Sequence, residues 1–179
     1  QRALRASGLL PSGPPGARVL DAVANEVRPY AQAYADWSRG EEATTLPVEL
    51  DIDGLRLHAR VDGVYQQGSA RLRFGKHNGP SMIRNGLDWL LACAAGLPHP
   101  FVEFHEDDDR GVGPHRREVL SPQAAIEGLR TLLALREQGL CAPLPLAPYS
   151  SWALFEKREE PAKALAAAVG KWRGNGHGG

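Results

Sequence analysis

The chain has 179 residues, enough for one domain with its own hydrophobic core, and its 42% hydrophobic and 23% charged residues exclude a disordered composition. Lys and Arg together number 21, as do Asp and Glu, so the formal net charge of +0 excludes a global electrostatic attraction to nucleic acid. The longest apolar stretch, residues 89–97, is too short to span a bilayer, and the first residues lack the pattern of a signal peptide.

The first predicted element is a helix over residues 17–39. Apolar side chains recur there at steps of three and four residues, which places them on one helical face: Val19, Val23, Val27, Tyr30, Tyr34 and Trp37. Pro29 lies inside this pattern. Because proline removes a helical hydrogen bond and crowds the preceding turn, we predict a kink or a break there.

A β-hairpin that turns at Asp53-Gly54 follows. Apolar and polar residues alternate over residues 46–52 and 55–61, which is the period of a strand. Asp-Gly suits a type I′ turn, in which both central residues have positive φ, and such a turn fixes the strand register. The resulting register matches partners on both faces: Ile52 with Leu55, Asp51 with Arg56, and Glu49 with His58.

The remaining pattern predicts an α/β (α+β) domain with a mixed sheet flanked by helices. Further strands are predicted at residues 70–74, 101–104 and 117–120, the last two separated by an acidic, mobile loop at 106–114. Helices are predicted at residues 81–95, 122–139 and 161–172. Residues 143–148, rich in proline, are predicted to form an extended surface strap.

These features indicate a single cytoplasmic domain over residues 1–179, with flexible ends at 1–16 and 174–179 and no membrane contact. The chain begins at Gln1 without an initiator Met, which is typical of a piece of a longer polypeptide. Cys93 and Cys141 lie in apolar or Pro-flanked settings, so we expect free thiols in a reducing compartment.

Three carboxylates on or beside the hairpin are candidates for a divalent-metal site: Asp51, Asp53 and Asp62. Asp51 has a cross-strand partner and Asp53 is the turn residue, so structural roles are favoured for both. Asp62 ends a strand and is the better candidate. A two-carboxylate nuclease site would need a second acid on the third strand, two residues before Lys76. We assign that place to the segment that begins with Arg73, which would repel a metal, and therefore predict no metal site.

The other candidates for chemistry are weaker, and we predict no cofactor. His99, His105 and His115 lack the spacing of metal ligands, and no phosphate loop, nucleophile elbow or dinucleotide fingerprint is present. A basic patch stands where the second and third strands end: Arg60, Arg71, Arg73, Lys76 and His77. This patch is a candidate contact for DNA phosphates. A solvated strand face or a protein interface is the alternative.

Several short motifs follow one another in the order of a known family. They are Val61-Asp-Gly-Val-Tyr65, Arg71-Leu-Arg-Phe-Gly-Lys76, Trp89-Leu-Leu-Ala-Cys-Ala-Ala-Gly96, Leu132-Leu-Ala-Leu-Arg-Glu-Gln-Gly-Leu140, Pro143-Leu-Pro-Leu146, Ser151-Trp-Ala153 and Lys163-Ala-Leu-Ala-Ala-Ala168. Together they resemble the C-terminal domain of the exodeoxyribonuclease V gamma subunit, RecC, over nearly the whole chain.

The resemblance implies a fold similar to the PD-(D/E)XK nucleases with the active site lost, and makes Asp62, Arg73 and Lys76 its vestigial positions. It also implies a place beside RecB-like and RecD-like subunits in an assembly that processes DNA double-strand breaks for repair and recombination. In that family the domain does no chemistry, and Chi recognition lies in another part of the subunit.

We therefore expect a non-catalytic scaffold and DNA-path domain. A Pro-rich strap with nearby aromatic residues is the part least suited to burying itself, so subunit contacts are expected there: Leu144, Leu146, Trp152 and Phe155. Two alternatives stay open. One is an active divalent-metal nuclease that uses Asp62 and Lys76, and the other is a stand-alone DNA-binding module that uses the basic patch.

Overall fold

A computed structural model describes residues 13–174, which form five helices and five strands. The helices are α1 (Pro14–Ser38), α2 (Gly79–Ala94), α3 (Pro122–Cys141), α4 (Pro148–Glu156) and α5 (Pro161–Trp172). The strands are β1 (Thr44–Ile52), β2 (Leu55–Tyr65), β3 (Gly68–Lys76), β4 (Phe101–Glu106) and β5 (His115–Arg117). Most of the two predicted flexible ends, residues 1–12 and 175–179, lies outside the described part of the chain.

The five strands form one mixed sheet in the order β1-β2-β3-β4-β5. Neighbouring strands are antiparallel except β3 and β4, which are parallel. A parallel pair needs a connection that returns from one end of the sheet to the other, and α2 with its flanking loops makes this crossover. The predicted α/β class, a mixed sheet flanked by helices, is confirmed.

The hairpin forms with the predicted turn and register. Asp53 has φ 54 and Gly54 has φ 82, as both central residues of a type I′ turn require. The three predicted pairs are present: Ile52 with Leu55, Asp51 with Arg56, and Glu49 with His58. The carboxylate of Asp51 accepts a hydrogen bond from the N–H of Gly54 at 2.9 Å, so this side chain also supports the turn.

β2 and β3 separate close to the turn that joins them. They pair at Val64 with Ser69 and at Tyr65 with Gly68, and the structure shows no further pairing between them within residues 13–174. Just before this point β2 contains a bulge, because its register against β1 shifts between Val61 and Val64. Gly63 lies in the bulge with φ 66. A cleft therefore opens between β2 and β3.

Hydrophobic side chains cover both faces of the sheet. On one face, α2 and α3 pack on the hairpin, with Val61, Leu91 and Leu129 among the buried residues. On the other face, the C-terminal half of α1 packs on β3 and β4 through Trp37, whose ring centroid lies 5.9 Å from that of Phe104. Such edge-on aromatic pairs contribute about 0.5–1.5 kcal/mol each beyond the area they bury. The sheet is thus the middle of three layers.

The first helix differs from its prediction in two ways. It begins at Pro14, so residues 14–16 belong to its first turn and not to a flexible end. It is also continuous through Pro29, so the predicted break does not occur. Tyr30 beside the proline is buried, and its hydroxyl accepts a hydrogen bond from the N–H of Gly75 at 3.1 Å. Tertiary packing thus holds the helix where its own hydrogen bonding is weakest.

Two elements of the second half of the chain also differ. β5 lies at His115–Arg117 and not at residues 117–120, because His115 pairs with Glu103 of β4. A helix, α4, begins at Pro148, and residues 143–147 alone keep the irregular course predicted for the strap. Proline suits the first turn of a helix, where its missing N–H has no partner to lose. The predicted last helix is confirmed as α5.

Candidate functional site

Asp62, the acid proposed for a vestigial nuclease site, lies in the bulge of β2. Its carboxylate accepts a hydrogen bond from the hydroxyl of Thr45 at 2.9 Å and lies 3.6 Å from Nε of Arg60. The side chain is half exposed. Among the described residues, this carboxylate forms no hydrogen bond or ion pair with Arg73 or Lys76. Side-chain contacts of Asp62 therefore do not connect the three proposed vestigial positions.

Arg73 and Lys76 lie together at the end of β3. Nε of Arg73 donates a hydrogen bond to the carbonyl of Lys76 at 2.7 Å, and Nζ of Lys76 lies 2.6 Å from a carboxylate oxygen of Asp108. The residue two positions before Lys76 is Phe74 and not Arg73, which corrects the sequence analysis. The ring of Phe74 packs 5.1 Å from that of Tyr30 on α1. An aromatic ring therefore occupies the position where a nuclease would carry its second acid.

Arg71 is the basic residue that reaches into the cleft between β2 and β3. Its Nε donates to a carboxylate oxygen of Asp88 on α2 at 2.7 Å, and its Nη1 donates to the backbone carbonyl of Asp62 at 2.5 Å. The side chains of Arg71 and Asp88 are only 21% and 16% exposed. One guanidinium therefore ties β3, β2 and α2 together.

The predicted basic patch is not one exposed surface. Arg71 and His77 are largely buried, and both face carboxylates, Asp88 and Glu103 respectively. Lys76 is exposed but pairs with Asp108, and the side chain of Arg60 is more exposed than that of Lys76. A DNA phosphate at these residues would compete with carboxylates that are already in place, which weakens phosphate binding. The DNA contact stays a prediction.

A buried polar cluster around Glu103 of β4 was missed by the sequence analysis. Arg117 donates two hydrogen bonds to its carboxylate at 2.6 and 3.0 Å, and Nδ2 of Asn85 donates a third at 2.8 Å. Burial alone raises the pKa of Glu103, but the contacts from His77, Arg117 and Asn85 outweigh it and hold this pKa well below its usual range. Glu103 is thus a buried, ionised carboxylate.

Three histidine rings lie side by side, tilted against one another, beside Glu103. The ring centroids of His77 and His105 lie 3.7 Å apart, and those of His105 and His115 lie 4.4 Å apart. Nε2 of His115 faces the carbonyls of His105 and Gly111 at 3.1 and 3.2 Å. Burial lowers the pKa of His105, and the neighbouring histidines act in the same direction. His105 lies in β4 and His115 in β5.

Nε2 of His77 has an unusual environment in this cluster. It lies 3.2 Å from a carboxylate oxygen of Glu103 but is not aligned for a hydrogen bond, so it has no hydrogen-bond partner in the part of the chain that the structure describes. Nδ1 of the same ring lies 3.1 Å from the hydroxyl of Ser81. The cluster borders a cavity of about 670 Å³ that also reaches Lys76 and Trp152.

The sequence could have indicated this cluster only in part. Glu103 stands in a predicted strand of otherwise apolar residues, and a lone acid there is a signal for a buried charge with partners. The partners come from β3, α2 and β5, which are distant in sequence. Within residues 13–174, no group of three or more His, Cys, Asp or Glu residues could hold a metal ion.

The residues proposed for subunit contact have different exposures. Leu146 and Phe155 are about half exposed, whereas Trp152 packs against Gly79 of α2 and is partly buried. Leu144 and Leu146 line an apolar groove of about 630 Å³ between α2 and α3. Around Phe155, α4 exposes further large apolar side chains: Tyr149 and Leu154. The groove and the outer face of α4 are the accessible apolar surfaces here, and the subunit contacts of all four residues stay a prediction.

None of the helices in the described part of the chain is long and apolar enough to cross a membrane. A family model described as the RecC C-terminal domain matches residues 1–159. No individual curated protein matches the chain. The family match covers most of the chain and ends between α4 and α5. The chain therefore belongs to the RecC C-terminal domain family, which implies a place in a multisubunit RecBCD-type complex.

Proposed function

We propose that this chain is a non-catalytic scaffold domain of the gamma subunit of a RecBCD-type helicase-nuclease, acting in double-strand break repair and recombination in the cytoplasm. Its partners are the RecB-like and RecD-like subunits, and DNA in the assembled complex. Family membership supports the complex, and the cleft between β2 and β3 supports the absence of catalysis.

The observation that carries the non-catalytic role is the set of side chains that β3 contributes near the cleft. The position two residues before Lys76 is Phe74, and Arg71 reaches into the cleft itself. A metal-dependent nuclease needs carboxylates from both strands to hold the ion that activates its water. β3 supplies the ring of Phe74 and the cation of Arg71 instead, so it lacks the negative charge that would hold a catalytic metal ion.

The order of elements also supports a frame similar to the PD-(D/E)XK nucleases. α1 precedes an antiparallel meander of β1, β2 and β3, and α2 then crosses to β4, which is parallel to β3. The cleft between β2 and β3 lies where such a frame would place its chemistry. We therefore propose that the domain keeps a nuclease-like fold but has no catalytic metal site.

The scaffold role rests on apolar surface that this domain leaves uncovered. Isolated exposed apolar residues are ordinary on protein surfaces, but contiguous patches mark interaction sites. Leu146 belongs to the apolar groove, and Phe155 belongs to the exposed apolar face of α4. About half of each side chain is still exposed, so burying both against a partner contributes about 0.8–1.5 kcal/mol per side chain, enough to weaken assembly measurably when they are lost.

Replacing both exposed residues tests the scaffold role. The Leu146→Ser/Phe155→Ser double variant of the full gamma subunit is expected to pull down less of the other two subunits, because it removes apolar contact without disturbing the core. Leu72→Ser is the matched control, since Leu72 is equally exposed on the opposite face of the sheet. Equal recovery of both partner subunits with the double variant and with wild type would refute the proposed contact.

A further inference from the structure

We infer that the cleft between β2 and β3 is a cation site that the protein fills with the guanidinium of Arg71, and that removing this side chain uncovers a site for a divalent metal ion. The inference rests on the contacts of Arg71 and stands whether or not the domain serves as a subunit scaffold. It assigns to Arg71 the role of a built-in cation.

Three oxygen atoms converge on the guanidinium from three elements. A carboxylate oxygen of Asp88 on α2 lies 2.7 Å from Nε, the carbonyl of Asp62 on β2 lies 2.5 Å from Nη1, and the carbonyl of Ala70 on β3 lies 3.3 Å from Nη1. Carboxylate and carbonyl oxygens are the ligands that hard divalent cations take in proteins. These three oxygen atoms can therefore hold either a guanidinium group or a divalent metal ion.

The cleft is shaped to admit this guanidinium. A Cβ atom on Gly63 would lie 2.7 Å from the carbonyl oxygen of Ala70 and 3.0 Å from Nη1 of Arg71, so any other residue would close the space. Gly63 also has φ 66, a conformation that residues with a side chain rarely adopt. The bulge in β2 thus opens the room that Arg71 occupies.

The charge of Arg71 is needed because its carboxylate partner is poorly hydrated. Asp88 is only 16% exposed, and Arg71 is its ion-pair partner in the described residues. The nearby Asp62 carboxylate does not take part, because it faces Thr45 and Arg60. Removal of Arg71 would leave Asp88 and two carbonyl oxygens without a cation, and an uncompensated buried charge strongly destabilises a fold.

The test compares Mn²⁺ binding to the full chain with Mn²⁺ binding to four variants, and electron paramagnetic resonance of free Mn²⁺ counts the bound ions. The fourth variant is Asp88→Asn alone. Arg71→Ala is expected to bind about one more Mn²⁺ per chain than wild type, since its three oxygens are freed. Arg71→Lys keeps a cation in the cleft and is expected to gain none. Arg71→Ala/Asp88→Asn is expected to lose the extra ion, because its carboxylate ligand is gone.

Thermal unfolding keeps the test decisive if Arg71→Ala folds poorly. In that case Mn²⁺ is expected to raise the unfolding temperature of Arg71→Ala and to leave that of Arg71→Lys unchanged. Two results would overturn the inference. One is an Arg71→Ala variant that neither binds more Mn²⁺ than wild type nor is stabilised by it. The other is a wild-type chain whose Mn²⁺ binding falls on Asp88→Asn, because the cleft would then be open to metal with Arg71 in place.

Discussion

At the scale of single residues, the most demanding group in this domain is the buried carboxylate of Glu103. Removing a charge from water costs several kcal/mol unless other groups replace its hydration. Arg117 and Asn85 do so with three hydrogen bonds. His105 lies in the same cluster, and its ring contacts that of His115. The folded cluster thus favours an ionised Glu103 and a neutral His105, because the pKa of each group is lowered there.

Acid is expected to destabilise the domain in two steps because of this cluster. The folded-state pKa of His105 is lowered from 6.5, so the folded chain binds its proton less well than the unfolded chain, and stability falls as the pH drops below about 6.5. The folded-state pKa of Glu103 is lowered from 4.5, so its contribution is present above that pH and is lost as the pH falls through the folded-state value. Urea unfolding between pH 8 and pH 2 follows the first step and most of the second.

His105→Gln separates the first step from the second, since glutamine does not titrate. The variant is expected to lose most of the pH dependence of unfolding free energy between about pH 6.5 and pH 5 and to keep the step at lower pH. His99→Gln is the matched control, because His99 lies in the loop before β4. A His105→Gln variant with the same slope as wild type over that range would show that another group causes the first step.

At the scale of elements, the hairpin shows what a local pattern can and cannot determine. The turn residues and the alternation of apolar side chains were enough to give the pairing of β1 with β2. The contact of Asp53 with Arg130 was not predicted, although Arg130 donates to both of its carboxylate oxygens, at 2.5 and 3.0 Å. The two residues are distant in sequence, so the contact depends on how α3 packs on the hairpin.

Gly54 tests the conformational origin of the hairpin turn. Gly54→Ala is expected to reduce the free energy of unfolding by about 1–2 kcal/mol, because a side chain disfavours the left-handed conformation at φ 82. A Cβ there meets no atom within 4 Å, so the effect contains no steric clash. Urea unfolding of the variant measures the loss.

Gly170→Ala is the matched control for that substitution. Gly170 lies inside α5, and an added Cβ also meets no atom within 4 Å. Alanine is expected to raise the free energy of unfolding by about 0.5–1 kcal/mol at a helical position. If both substitutions destabilise the chain equally, the left-handed conformation is not what makes Gly54 necessary.

The elements that the sequence did predict share one property, which is a signal that lies within them. α2, α3 and α5 have capping residues or an apolar period of their own, and all three are present near their predicted bounds. β5 was misplaced because its position follows from pairing with β4, and α4 was missed because three prolines precede its body. The same limit hid the Glu103 cluster, whose partners come from separate elements.

At the scale of the whole molecule, the domain leaves much apolar surface uncovered on several helices. Val19, Val23 and Val27 lie on the apolar face predicted for α1, and each is more than two-fifths exposed. α5 lies beyond the matched family region and exposes another apolar row: Leu165, Val169 and Trp172. A helical period shows that a face is apolar but not what covers it. These faces fit a domain that works inside a larger assembly.

The central claim, a nuclease-like frame without catalysis, is tested most directly by a cleavage assay on the full gamma subunit without its partners. Plasmid and linear double-stranded DNA are incubated with Mg²⁺ or Mn²⁺, beside Asp62→Ala and Lys76→Ala variants. Arg136→Ala is the control, because Arg136 is exposed on α3 and pairs with Glu137. We predict no cleavage above background for any of them, because β3 carries Phe74 where a second acid is needed. Metal-dependent cleavage by wild type that is lost in Asp62→Ala and kept in Arg136→Ala would contradict the account.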